Sequence, residues 1–469
     1  MVIRRNTKTR IEISSLVEES RKSLDREKNL SSSFKENFNK VLEVIEALTN
    51  YLGINSSNSS IPPSQDPNRP RKVTKAKGLK RKQGGQKGHK GSCLLQVKNP
   101  TVVEEIQIDR ESLPLGNYSS NGFSARQVFN MEVSLVVTEY RAEILINENG
   151  VEFTAKFPDG VTEPAQYGNT IKVHSVYMSQ FQLVPLNRIK DHFNDQLGLP
   201  ISKGSISNWN ILAYKKLSEF ETWARQQLIT SPCNNADETG INVGGKRLWL
   251  HCVSNLKMTL FHADEKRGQE AMERMGILPH FRGKLIHDHW KAYFVYDCIH
   301  ALCNGHHLRE LEAANELDGQ KWAKKMQELL LEMKKAVDNV ECFVSKKRIN
   351  KFIRRYRHIL READKECSRN PNSRAQSKSR NLLERLRDFE EETLLFLKDK
   401  DVPFTNNRGE NDLRMTKVQQ KISGCFRSLD GAKIFCRIRS YILTCMKNGI
   451  GPSEALKLLF DGELPNFMK

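Results

Sequence analysis

The sequence predicts an α/β protein with a mixed sheet at its centre. Two stretches predict the sheet. Asn235–Gly240, Lys246–Ser254 and Lys257–His262 read as three successive strands, with a tight turn at Gly244-Gly245. Leu248, Trp249, Leu250, Cys252 and Val253 make the middle one apolar on both faces. After a helix at roughly 268–276, Gly283–Trp290 supplies a short apolar strand ending at Asp288. A third observation completes the class: residues 307–400 are long, charged and mostly helical in pattern.

Composition bounds the rest. The chain has 469 residues, 28% of them charged and 38% hydrophobic, enough for two to four domains. No run of 18 or more apolar residues occurs, so no membrane partner is expected. The N-terminus lacks the apolar core of a secretory signal. A net charge of +19 points to a polyanion, with nucleic acid the leading candidate. The ten cysteines form no Cys-x-x-Cys pair and read as reduced thiols of a cytosolic protein.

Residues 1–54 form an N-terminal helical segment. Phe34, Phe38, Val41, Leu42, Ile45, Leu48 and Leu52 lie at helical spacing there. That stripe fits a coiled coil with a second copy, or a helix folded back on its own chain. Residues 55–100 read as a linker, first rich in Ser, Asn and Pro, then basic. Between 69 and 91 it holds ten Lys or Arg and no acid: Arg69, Arg71, Lys72, Lys75, Lys77, Lys80, Arg81, Lys82, Lys87 and Lys90. Such a segment cannot bury a core and suits tracking phosphates.

Residues 101–165 read as a small β-module. Phe129, Met131, Val133, Leu135 and Val137 alternate, and the pattern continues through Ile146, so strands are expected over 126–146. Residues 166–228 read as helices. Two of them flank Leu197-Gly198-Leu199-Pro200, which fits a helix-turn-helix reader or a plain helical bundle. Residues 229–435 hold the sheet, and 436–469 form a C-terminal helical segment.

The chemistry concentrates at Asn406–Arg414, a loop running into a helix with Glu410 in its first turn. Arg414, Lys417 and Lys421 follow Glu410 at helical spacing, so the four share a face. Glu410 can simply favour the helix N-terminus and pair with Arg414. It can equally join Asp237 and Asp288 in a set of carboxylates. Three converging carboxylates stay ionised only with cations between them, and Mg²⁺ or Mn²⁺ prefers such oxygen ligands. Two ions ~3.5–4 Å apart can activate the attacking oxygen and stabilise the leaving oxygen of a phosphodiester.

On these residues the chain resembles the bacterial insertion-sequence transposases of family 66, which carry a DDE triad. Asn55–Ser64 looks like the family's Asn-Ser-Ser-x-x-Pro-Pro-Ser linker, and Gly84–Gly91 like its glycine-rich basic stretch. Gln166-Tyr167-Gly168 with Leu183–Arg188 is similar to its helical segment. Ala236-Asp237-Glu238-Thr239 resembles the first-Asp motif, and Asp288 with Tyr293 the second. Cys303-Asn304-Gly305-His306 is similar to a Cys-x-x-His element, and Asn406-Asn407-x-x-Glu410-x-x-x-Arg414 to the Glu motif.

The resemblance implies a ribonuclease-H-like core with a helical insertion at 304–400. It implies an enzyme that cuts element ends and joins their 3′-hydroxyls to target DNA, with Asp237, Asp288 and Glu410 catalytic and holding two Mg²⁺ or Mn²⁺ ions. Arg408, Arg414, Lys417 and Lys421 would position phosphates, together with the linker cations. Double-stranded DNA, a second copy and accessory proteins of the element are the expected partners. The expected location is the bacterial cytoplasm, at the nucleoid. A hydrolytic nuclease without strand transfer and a catalytically silent DNA-binding derivative are the alternatives.

The chain departs from the family in one region. Many members carry paired cysteines before the core, yet none lies between Cys93 and Cys233, so no zinc is expected there. Cys303 and His306 supply two ligands where a structural zinc site needs four, which favours a packing role. His289 is expected to pack beside Trp290.

Overall fold

A computed structural model describes residues 7–27, 29–53, 55, 59, 66, 94–339, 344–369 and 377–469. The linker cations Arg69, Arg71, Lys72, Lys80, Arg81 and Lys82 lie outside the described residues. No helix among the described residues is long and apolar enough to cross a membrane.

Helices α1 (Thr7–Arg26) and α2 (Ser32–Gly53) open the chain. α2 packs on α1, with Val17, Leu24 and Leu42 buried. Phe34, Phe38, Val41 and Leu48 remain exposed.

Between residues 94 and 168 the strands are confined to one two-stranded hairpin, β1 (Ile144–Ile146) with β2 (Glu152–Thr154), preceded by a 3-10 turn at Arg110–Ser112. Its turn is built by Asn147, whose Oδ1 accepts from Asn149 and Val151 N–H at 3.0 and 2.9 Å, and by Gly150 at φ +77°. The strands expected over 126–146 are confined to Ile144–Ile146. Phe129, Met131, Val133, Leu135 and Val137 are exposed and join no ladder. Alternation marks an apolar face, but a strand also needs a neighbour for its N–H and C=O groups.

Four helices follow: α3 (Asn169–Val176), α4 (Leu186–Leu197), α5 (Lys203–Lys216) and α6 (Ser218–Ile229). Gly198 ends α4 at φ +60°, with its N–H on Asn194 O and that of Leu199 on Phe193 O. Ser202 caps α5 by accepting from Ser205 N–H at 2.9 Å.

The sheet comprises β3 (Cys233–Val243), β4 (Lys246–Ser254), β5 (Thr259–Asp264), β6 (Lys284–His287) and β7 (Ile299–Leu302), with α7 (Gln269–Met275) between β5 and β6. Its order is β5-β4-β3-β6-β7. β3, β4 and β5 are antiparallel neighbours, whereas β3–β6 and β6–β7 are parallel. The expected mixed sheet is therefore observed, with the turn at Gly244-Gly245 where both glycines have positive φ.

The insertion runs through α8 (Asn304–Asp318), α9 (Lys321–Asp338), α10 (Lys346–Glu366), α11 (Lys378–Asp388) and α12 (Glu390–Lys398). Its apolar core, including Trp322, Met326, Leu330, Tyr356 and Leu383, joins the sheet at Ile286 and Ala301. The chain closes with α13 (Asn407–Ser423), α14 (Leu429–Lys447) and α15 (Pro452–Asp461).

Ranges 166–228, 229–435 and 436–469 share one core. Phe193, Trp209 and Phe220 pack in one cluster with Leu285, Tyr293, Ile438, Tyr441 and Leu456. α14 also covers the edge strand β5. Ser440 Oγ accepts from Phe261 N–H at 2.9 Å, and Thr444 Oγ1 accepts from Thr259 N–H at 3.2 Å. A strand edge shielded in this way offers no template to another chain.

Candidate active site

The site forms where β3 and β6 part. β6 pairs only with Cys233, Asn234 and Asn235 of β3 and ends at His287. Extending the register from Asn235 opposite Ile286 brings Asp237 opposite Asp288, just beyond the last paired residues. Sites in α/β sheets form in this kind of crevice, outside the carboxyl ends of strands.

Successive strand residues point to opposite faces, so Asp237 and Glu238 diverge. Asp237 shares its face with Ile241 and Val243, which pack with Leu413 of α13. Glu238 shares the opposite face with Ala236, in the cluster that holds Tyr293.

Asn406 sets α13 against β3. Its Nδ2 donates to Ala236 O at 2.8 Å, its Oδ1 accepts from Asn235 Nδ2 at 2.7 Å, and its N–H donates to Cys303 Sγ at 3.1 Å. Gly409 permits the close approach: a Cβ there would lie 3.4 Å from that of Asp237 and 3.2 Å from Asn406 Oδ1. Glu410 follows directly, in the first turn as expected.

Electrostatically, neighbouring acids act on Asp237 and Asp288. Burial first, then Glu238 and Asp288, raise Asp237 well above the usual carboxylate range, and Glu410 adds to this. The hydrogen bond Asp237 receives, at 2.9 Å, comes from the backbone N–H of Glu238. Burial, then Glu238, pushes Asp288 up to about 6, against the pull of Trp290 N–H, Arg267 and Arg385.

Sequence reasoning gave Glu238 no role, yet it is the most firmly held acid of the site. Its side chain is 3% exposed. Arg267 donates to its Oε1 from Nη2 and Nε at 2.7 and 3.1 Å, and Tyr293 OH donates to its Oε2 at 2.6 Å. The Arg267 guanidinium lies 4.8 Å from the Trp249 ring centroid and 4.4 Å from that of Trp290. The adjacent Asp-Glu pair was a signal for Glu238; nothing local marks Arg267.

The cationic stripe of α13 is split. Arg414 and Lys421 are exposed and Arg408 is half-buried. Lys417 turns onto β3, donating to Gly240 O at 2.7 Å, and burial lowers its pKa. Of the apolar positions, Leu413 is buried and Val418 packs partly, but Ile422 is exposed.

Among the histidines, His289 packs on Phe389 at 4.4 Å and Phe294 at 5.4 Å between ring centroids, whereas Trp290 carries Arg267. The expected packing of His289 is thus observed on different partners. His287 is wholly buried between Asp288 O and His300 Nδ1, and burial lowers it to about 3.

Among the described residues, one group of three His, Cys, Asp or Glu side chains brings its ligating atoms within 4.8 Å of one another: Cys303, His306 and Glu410. The two aspartates are not in that group.

The family model "Transposase IS66 family" matches residues 165–434, spanning the helical segment, the sheet, the insertion and α13. A second model, "Family of unknown function (DUF6444)", matches residues 3–94. No curated protein matches the chain.

Proposed function

We propose that this chain, which belongs to the IS66 family of transposases, cleaves the ends of a transposable element and joins the exposed 3′-hydroxyl to target DNA. In this reading Asp237, Asp288 and Glu410 hold divalent cations. The observation that carries it is the charge imbalance at Asp237. The charges of Glu238, Asp288 and Glu410 all act on that buried carboxyl, which receives a single backbone hydrogen bond. Buried carboxylates in such a cluster stay ionised only when cations offset them, so the residues fit Mg²⁺ or Mn²⁺. When bound, such ions would polarise the phosphodiester and activate the attacking oxygen.

The chain's own residues do the remaining work. Arg267 offsets the charge of Glu238 and, with Tyr293, fixes its carboxylate. Asn406 and Gly409 hold the start of α13, which carries Glu410, against β3 at Asp237. Arg408, Arg414 and Lys421 lie along the helix that carries Glu410, where they can bind phosphates beside the reacting one. The order β5-β4-β3-β6-β7, with antiparallel β4 and parallel β6 and β7, supports the ribonuclease-H-like reading. The strong positive charge supports double-stranded DNA as the substrate.

The test uses Asp237→Asn, Asp288→Asn and Glu410→Gln, which keep volume and remove charge. Each should abolish Mg²⁺- or Mn²⁺-dependent cleavage and joining of an element end, while binding measured without metal survives. Retained cleavage in Glu410→Gln would defeat the assignment. Cleavage without joining in the unaltered protein would instead mark a hydrolytic nuclease.

A further inference from the structure

Cys303 and His306 are two ligands in sequence, and the fold adds a third. Cys303 immediately precedes α8 and His306 lies in its first turn. Glu410 comes from the first turn of α13. The two helix starts are tied together, Asn406 N–H donating to Cys303 Sγ at 3.1 Å and Asn304 N–H to Phe404 O at 3.1 Å. The backbone that carries the group is therefore fixed, with Cys303 buried and His306 and Glu410 partly exposed.

His306 Nδ1 is buried and has no hydrogen-bond partner among the described residues. It lies 3.9 Å from Glu410 Oε1, beyond hydrogen-bond reach. Buried polar atoms of this kind are few in native proteins and call for an explanation, a bound ion among them. The ligating atoms of Cys303, His306 and Glu410 all lie within 4.8 Å of one another. Tetrahedral ligands ~2.0–2.3 Å from an ion lie roughly 3.3–3.8 Å apart, so closing onto one requires shifts of about 1 Å or less.

We propose that Cys303 Sγ, His306 Nδ1 and the Glu410 carboxylate form a transition-metal site that takes Zn²⁺ or Co²⁺ in preference to Mg²⁺. A thiolate and an imidazole suit these ions, whereas Mg²⁺ prefers oxygen. Binding replaces the Cys303 thiol proton, which leaves to solvent, and no electron is transferred. Three protein ligands leave a fourth position open to water. The site shares Glu410 with the proposed carboxylate centre, so Zn²⁺ held here would occupy the carboxylate which that centre needs. It does not depend on the proposed transposition chemistry, because ligand identity alone defines it.

The experiment titrates the metal-free full chain with Co²⁺ alone. The expected spectrum has a thiolate-to-cobalt charge-transfer band and the intense ligand-field bands of a four-coordinate ion. One equivalent of Zn²⁺ bleaches both, and excess Mg²⁺ leaves them in place. Cys303→Ser should remove the charge-transfer band. His306→Ala should weaken binding by more than the ~10-fold that losing even an outer partner costs. Asp237→Asn and Asp288→Asn should keep the wild-type spectrum. Loss of cleavage in those two variants with the spectrum intact separates this site from the carboxylate centre. A wild-type protein without the charge-transfer band overturns the proposal. So does a band that survives Cys303→Ser, which would move the ion to another thiol such as Cys298, 3.9 Å from His300 Nε2. Should Cys303→Ser fail to fold, the wild-type band and the more than ~10-fold weaker Co²⁺ titration of His306→Ala decide the matter, unchanged affinity there overturning the proposal.

Discussion

Arg267→Met removes the guanidinium and keeps an apolar stem between Trp249 and Trp290. The loss can be worked from its contacts. Glu238 is 3% exposed and takes two hydrogen bonds from Arg267, at 2.7 and 3.1 Å. Removing one partner of a buried pair costs ~3–5 kcal/mol, because the other charge is left uncompensated. Arg267 itself is 43% exposed, so solvent reaches one side of the pair and favours the lower end of that range. Two ring contacts are lost as well, worth ~0.5–1 kcal/mol each at a partly exposed site. A net loss of about 4–5 kcal/mol follows. With an m value above the ~1–3 kcal/mol/M of small proteins, because the chain is long, the urea midpoint should fall by about 1 M. Glu238→Gln alone should cost about 1–3 kcal/mol, since the amide keeps part of the hydrogen bonding. Combined with Arg267→Met it should recover at least ~2 kcal/mol relative to the sum, because no unpaired carboxylate remains. Mg²⁺ should narrow the gap between Arg267→Met and the parent by supplying positive charge nearby. A loss below about 1 kcal/mol in Arg267→Met, or strict additivity in the double variant, would refute the account of how Glu238 is held.

Two further outcomes follow from the site and its supporting sheet. Asp288 titrates near about 6 in the fold against an ordinary value of 3.8. Between those values the native state keeps a proton that the unfolded chain has released, so this group's contribution to stability falls as pH rises through the window. A divalent ion binds only the ionised form; the increase in Tm produced by Mg²⁺ should therefore be small near pH ~5 and grow through about 6, and a pH-independent increase would contradict it. Thr444→Val removes the acceptor for Thr259 N–H and the donor to Thr259 O, at 3.2 and 3.3 Å. Stranding those buried groups should cost about 1–3 kcal/mol and speed hydrogen exchange at Thr259, whereas unchanged exchange would show the edge to be protected otherwise.

The features legible in the sequence were those encoded locally. Gly244-Gly245 announces its turn because both positions adopt positive φ. The apolar run before Asp288 announces a buried strand, and Asn406–Glu410 announces a helix start. What Asn406 and Gly409 do there was not legible. One reaches Asn235 and Ala236, and the other admits Asp237, both across some 170 residues of intervening chain. Arg267 was invisible for the same reason: its partner Glu238 lies on β3, and its ring partners on β4 and beyond β6. Alternation at 129–137 misled, because it reports a face without reporting a neighbour.

The divergence of Asp237 and Glu238 follows from the strand itself. Adjacent residues on β3 must point to opposite faces, so one acid meets α13 and the other meets Arg267 and Tyr293. A one-residue slip of β3 would exchange the two, pressing the longer glutamate against Gly409 and leaving Arg267 without its partner. The clamp therefore acts on register as well as charge. Arg267 accepts a carboxylate on one face only, and the pairing of Asn235 with Ile286 holds that face in place. The crevice exists because β6 stops at His287 while β3 runs on to Val243 beside β4. Lengthening β6 by two paired residues would carry Asp288 into the ladder and close the gap. The short strand and the long one are thus both requirements of the site.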